Sequence, residues 1–430
     1  MIRAALVAAT ALALATPAAA EDFVIVNATL AKGDGSEPIR QGVVIVDDNR
    51  VVYAGPQSGA GPIDSAATVH DVAGGWVTPG LVATLTQLGL SDVGGVRESN
   101  DTRAAGSRFG AALDVAPAIN PSSEHIGVHR AAGITRAATD TLPGSGIFGG
   151  QGAIIDLAAD GSPVTSARAF QLVALGETGA RISGGSRVAS FVDLANALHE
   201  ADAYAKGKRD GADSVLPRAD AEALGAVISG SQKLYVGVER ASDIRAVLGL
   251  KTTYPRLDLV LLGASEGWLV ARAIAAAGVP VIADGLDDLP TAFEELAATQ
   301  SNIGRMVKAG VRVAINAAAM ENPRNLNQFA GNLVALAKMP GADGLSWGQA
   351  LAAITSVPAE ISGLKGQVGV LAPGATADVV VWDDDPLELG SVPTMVFIDG
   401  VRQPLENHQT RLRDRYKDLD ESGLPKAYDW

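Results

Sequence analysis

The chain has 430 residues, 47% hydrophobic and 19% charged, with 49 glycines and 21 prolines, a composition that excludes a disordered or fibrous protein and leaves room for one large domain or two. Lys and Arg number 34 against 48 Asp and Glu, a formal charge of −14, which argues against nucleic acid as a partner. With no cysteine, disulfides, thiolate nucleophiles, Cys-ligated zinc and iron–sulfur clusters are ruled out, and five histidines remain: His70, His125, His129, His199 and His408.

Arg3 precedes an apolar run over 4–15, then Thr16-Pro17 and Ala18-Ala19-Ala20. This is the layout of a charged region, an apolar region and a small-residue cleavage site, so residues 1–20 are expected to be a signal peptide cut after Ala20, with the periplasm as destination. The run is shorter than the ~20 residues of a spanning helix, and no membrane span is expected. From Phe23 the pattern is short strands, 23–26, 42–46 and 51–54, with polar turns between them. From about 81 to 363 apolar strand-like runs alternate with Ala/Leu/Glu-rich stretches: 257–262 leads to a helix over 268–277, and 279–282 to one over 292–298. Repeated β/α units of this length predict an α/β fold with a parallel sheet covered by helices, either barrel or doubly wound; roughly 280 residues suits a (β/α)8 TIM barrel. Strands return after Gly366, at 369–371, 377–382 and 395–400, so the two ends of the chain are expected to pair into one small sheet domain. The charged tail, 406–430, is expected to be a surface helix or extended segment.

Gly75-Trp76-Val77-Thr78-Pro79-Gly80-Leu81-Val82 follows about two hairpins. Near the other end stand Thr355-Ser356-Val357-Pro358-Ala359, Gly369-Val370-Leu371-Ala372-Pro373-Gly374, Ala377-Asp378-Val379-Val380-Val381-Trp382 and Phe397-Ile398-Asp399-Gly400. In order and spacing these segments resemble the amidohydrolase superfamily, and Pro143-Gly144-Ser145-Gly146 with Gly149-Gly150-Gln151-Gly152 is similar to a loop of its imidazolonepropionase-like members. The resemblance implies metal-dependent hydrolysis of C–N bonds on a TIM barrel (81–363) flanked by a composite β-sandwich (21–80 and 364–405).

It also implies a metal-binding His-x-His on the first barrel strand, where this chain has Leu85-Thr86-Gln87. Leucine cannot coordinate zinc and a glutamine amide is a poor ligand for it. No lysine lies between Lys32 and Lys206 to serve as the bridging carboxylated lysine of binuclear members. Gly237, Leu261-Leu262-Gly263 and Ala318 stand where the resemblance implies further ligands. The expectation is a superfamily member with no metal ligands and no cofactor, in contrast to the zinc of its relatives: a pseudoenzyme acting as a binding or partner subunit. Its partners would be a small molecule in the barrel mouth and an amidohydrolase paralogue or a second copy.

Other motifs keep a catalytic alternative open. Gly263-Ala264-Ser265-Glu266-Gly267 matches the G-x-S-x-G elbow between strand and helix, making Ser265 a candidate nucleophile, although the one downstream imidazole is His408 in the charged tail. The other reading of Ser265 is a helix cap. Glu239 and Asp284, near strand ends, are candidate acid–base groups, and Gln87, Gln151 and Asn316 candidate ligand contacts; solvated loop residues are the plainer reading. His125 and His129, spaced i,i+4, fit one face of a helix starting at Ser122 or Ser123, or else a metal pair. Residues 144–149 match G-x-G-x-x-G, but a strand-like run follows, which points to a glycine-rich loop over the barrel mouth.

Overall fold

The computed structural model describes residues 21–208, 214–317 and 323–417; the expected signal peptide, Ala318 and the end of the tail lie outside them. Alternating apolar residues put Phe23, Ile25, Val44, Val46 and Val51 into one core as β1 (Phe23–Leu30), β2 (Ile39–Asp47) and β3 (Arg50–Pro56) pair antiparallel. β4 (Thr68–Asp71) and β5 (Trp76–Pro79) run parallel to the two ends of β1.

Directly after Pro79 the chain enters a second sheet, whose strands follow one another in chain order: β6 (Leu81–Thr86), β7 (Ile134–Thr139), β8 (Phe148–Asp156), β9 (Val164–Ala174), β10 (Lys233–Val238), β11 (Leu259–Gly263), β12 (Val281–Ala283) and β13 (Val313–Ile315). This sheet curls into a nearly closed barrel. At the seam Val82 N–H donates to Ile354 O (2.9 Å) and Ile315 N–H to Ala353 O (3.0 Å), so residues 353–354 bridge β6 and β13. Leu85, Phe170, Leu172, Tyr235, Val260, Leu262 and Ile282 fill the interior, with the Phe170 and Tyr235 rings stacked 4.3 Å apart.

Strict β/α alternation breaks at one point. β8 is antiparallel to both β7 and β9, joined to them by hairpins without helices. Its glycines permit this: a Cβ on Gly152 would run into the Phe170 ring, one on Gly149 would lie 2.5 Å from Thr141 O, and Gly150 has φ +103°. The expected mouth loop is therefore in part this strand. The helix expected over 292–298 is also corrected to a single 3-10 turn, Phe293–Glu295, because Glu294 turns inward to Arg187 and the Glu177 N–H.

The strands β14 (Val379–Trp382), β15 (Pro393–Ile398) and β16 (Val401–Arg402) return to the first sheet, where β14 pairs with β5 through Val379↔Pro79 and Trp382↔Trp76. One sheet thus contains both ends of the chain, as expected. The tail begins as a helix, His408–Tyr416. Among the described residues no helix is long and apolar enough to cross a membrane.

Sheet and barrel are tied by a buried cation. Arg136 on β7 donates to both carboxylate oxygens of Asp378 (2.7 and 3.0 Å) and to Asp399 (2.7 Å), with Asp156 at 3.7 Å. Asp378 is 1% exposed, so loss of the guanidinium strands a charge in the interior. We expect Arg136→Met to lower stability by about 3–5 kcal/mol and Arg136→Met/Asp378→Asn to recover part of it, as read from urea unfolding midpoints.

Candidate functional site

The C-terminal ends of the barrel strands surround a cavity of about 570 Å³. Leu85, Thr86 and Gln87 enter it from the end of β6, Asp140 from just after β7, Leu172 from β9, Gly237 and Glu239 from the end of β10, Leu262 and Gly263 from β11, Asp284 from after β12, and Asn316 and Ala317 from after β13. This is the face on which TIM-barrel sites form. Five leucines, Leu85, Leu88, Leu142, Leu172 and Leu262, give it an apolar wall.

Against that wall the carboxyl groups lose water. Burial pushes the Asp140 carboxyl up to about 8. Burial also pushes Glu239 up to about 8, although the Ser265 backbone N–H (2.9 Å) and hydroxyl (2.8 Å) both donate to its Oε2. Asp284 rises to about 6, through burial first and then repulsion from Asp287, while the Asn316 amide, donating at 2.7 Å, opposes the rise. At neutral pH Asp140 and Glu239 are therefore mainly uncharged acids that can donate a hydrogen bond, and Asp284 is mainly a carboxylate.

A short helix, α1 (Glu124–Ala131), starts at Ser123, whose hydroxyl donates to Ser91 O instead of capping the helix. It brings His125 and His129 to the cavity, the i,i+4 spacing placing both on one face. His129 Nδ1 lies 2.7 Å from His125 O. A carbonyl only accepts, so Nδ1 holds the proton and Nε2 the lone pair. Burial lowers the ring to about 4, which keeps it neutral at physiological pH.

The other expected residues divide. Gln87, Glu239, Asp284 and Asn316 line the cavity; Ser265 and Gln151 do not. Ser265 is buried behind Glu239, and Gly263 is required because a Cβ there would fall inside the Glu239 carboxyl. Glu266 accepts from the Ala241 and Ala297 N–H groups. The Gly263–Gly267 turn thus fastens Glu239 and its neighbouring loops. Gln151 lies in β8, beside a separate cleft with Asp114, Arg168 and Gln232, whose amide donates to it at 3.3 Å. His408 is exposed at the start of the tail helix. Asp140 and His129 were not singled out for the mouth by sequence reasoning; for Asp140 the available signal was an acid directly following the apolar strand Ile134–Thr139.

The divalent ion implied by the resemblance does not fit this donor set. Leu85 belongs to the apolar barrel interior, and Gly237 and Leu262 offer no ligand atom. Among the described residues no three His, Asp or Glu side chains are grouped to hold a metal. A zinc site needs at least three such ligands.

Residues 254–404 match the amidohydrolase family. The chain is 25% identical over 414 residues to amidohydrolase tasK of Hapsidospora irregularis, covering 86% of this chain and 41% of that protein; it thus spans about two fifths of this relative's length. It is 26% identical over 379 residues to imidazolonepropionase of Acidiphilium cryptum (strain JF-5), covering 81% and 89% of the two chains. Among solved structures, an amidohydrolase from Thermotoga maritima MSB8 superposes with a TM-score of 0.76 at 22% identity, over 88% of this chain and 99% of that one. An adenosine deaminase from Xanthomonas campestris, solved with bound zinc, gives 0.50 at 16% identity, over 90% and 93%. The structural likenesses establish the fold.

The uncharged acids carry a pH signature. An acid whose pKa folding raises binds its proton more tightly folded than unfolded, so its stabilising contribution is fully present below its ordinary value of 3.8 and is lost as pH rises through about 8. The sensitivity is on the order of 1.4 kcal/mol per pH unit inside that window. Asp140→Asn should remove this term: between pH 5 and 8.5, chosen as assay limits, the variant should lose less stability than the wild type in thermal melts.

Proposed function

We propose, taking the chain as the amidohydrolase-superfamily protein that its fold and relatives make it, that it is an exported protein whose barrel mouth binds a neutral small molecule and does not hydrolyse it through a metal. The superfamily's hydrolases act on C–N bonds. The observation that carries the reading is an apolar wall of leucines beside Asp140 and Glu239, two acids whose pKa burial raises. An anionic ligand would lose its hydration there without meeting a basic side chain in the lining, whereas a neutral amide-like group can accept from Asp140 or Glu239 and rest its apolar part on the leucines.

The serine alternative is less well supported. The Ser265 hydroxyl is donated to Glu239, and a protonated Glu239 cannot take its proton as a general base. We assign Ser265 to holding Glu239 in place. Export rests on the charge and apolar pattern of residues 1–20 and the small residues before Glu21.

Elemental analysis of the purified protein should find substoichiometric zinc, and an amide-hydrolysis screen should show no chelator-sensitive turnover. Stoichiometric zinc together with turnover abolished by chelation would overturn the reading. An organophosphate should leave Ser265 unlabelled; labelling that is lost in Ser265→Ala would restore the serine mechanism. N-terminal sequencing of the secreted protein should begin at Glu21.

A further inference from the structure

The strands β10, β11 and β12 are neighbours in chain order, so the helices that follow them lie side by side on the outside of the barrel: α2 (Ala241–Thr253), α3 (Ala271–Ala277) and α4 (Asn302–Lys308). A cleft of about 470 Å³ runs along them and shares no lining residue with the barrel mouth. Each helix gives it one arginine: Arg245, Arg272 and Arg305. Among the described residues no Asp or Glu lines it, and the rest of the lining is Trp268 and aliphatic side chains such as Leu269 and Val270. The chain as a whole carries 48 acidic against 34 basic residues, so a cleft lined by cations alone runs against its overall charge.

Arg305 is held in position. Its guanidinium lies 4.5 Å over the Trp268 ring, and its Nε is 3.4 Å from Asp343. The indole is itself fixed, with its Nε1–H donating to Ala297 O (2.8 Å) and the Trp268 backbone N–H to Asn302 (3.0 Å). Asp343 also pairs with Lys308 at 3.0 Å, so its single charge is shared by two cations. The guanidinium groups of Arg245 and Arg272 have no hydrogen-bond or ion-pair partner among the described residues. Like charges gathered on a partly apolar wall repel one another, and an anion seated between them removes that repulsion.

We propose that this cleft is a second binding site, for a small polyvalent oxyanion bearing phosphoryl or carboxyl groups. The inference goes beyond the reading of the barrel mouth and does not depend on it. Planar guanidinium groups match the paired oxygens of phosphate and carboxylate, and three of them exceed what one monovalent anion can neutralise.

Inorganic pyrophosphate and citrate are the probes, titrated by calorimetry into the full chain at fixed ionic strength, with chloride as the control. At least one should bind saturably, and the tighter of the two assigns the ligand to phosphates or to polycarboxylates. Arg245→Ala/Arg272→Ala should weaken that binding by about tenfold or more, the loss expected from charged hydrogen bonds. Both arginines are exposed on helices that accept alanine, so the thermal midpoint should be unchanged. Independently of any variant, the side-chain Nε–H signals of Arg245, Arg272 and Arg305 should shift in a nitrogen-15 NMR spectrum when the tighter probe is added, and that of Arg40, in the other sheet, should stay in place. Failure of both probes to bind, binding no stronger than that of chloride, or binding that survives the double substitution would overturn the proposal.

Discussion

Burial strips water from the carboxyls of Asp140 and Glu239, and no basic side chain among the described residues is placed to offset the loss. Electrostatic desolvation of that kind has one inexpensive outcome, which is retention of the proton. Much of the chemistry of the mouth follows from it. Protonated acids donate hydrogen bonds instead of binding cations or accepting protons from water, and the leucine wall that dries them also offers surface to an apolar ligand. Asp284, less strongly shifted and held by Asn316, is the one of these three acids that is mainly charged at neutral pH.

The rest of the molecule holds this mouth in shape. Arg136 fixes β7 to the first sheet through Asp378 and Asp399, and Asp140 lies four residues further along the same stretch of chain. Gly263 leaves room for the Glu239 carboxyl, and the Ser265 backbone and hydroxyl hold it. A sequence element that looks like a nucleophile elbow thus becomes a bracket for a neighbouring strand's acid. The distinction is one of exposure and partner chemistry, which the five-residue motif does not encode.

Much of the architecture was legible from residue order. The strand pattern of the two ends predicted a shared sheet, and the pairing of Val379–Trp382 with Trp76–Pro79 forms it. What could not be read were features set by tertiary contact. The helical propensity over 292–298 yielded to the inward pull of Glu294 toward Arg187. Gln151 was expected near the mouth, yet the close approach allowed by Gly149 and Gly152 made its segment an antiparallel strand beside another cleft. His129 read as an ordinary helical residue, since neither its depth nor its fixed tautomer leaves a mark in the local sequence.

The most direct test of the account is a carbon-13 NMR titration of the side-chain carboxyl resonances of Asp140 and Glu239. We predict protonated signals at neutral pH and midpoints near 8 for both. Fully ionised resonances at neutral pH, with midpoints near the ordinary carboxylate range of about 4, would contradict it, because they would require a compensating cation in the mouth of the barrel.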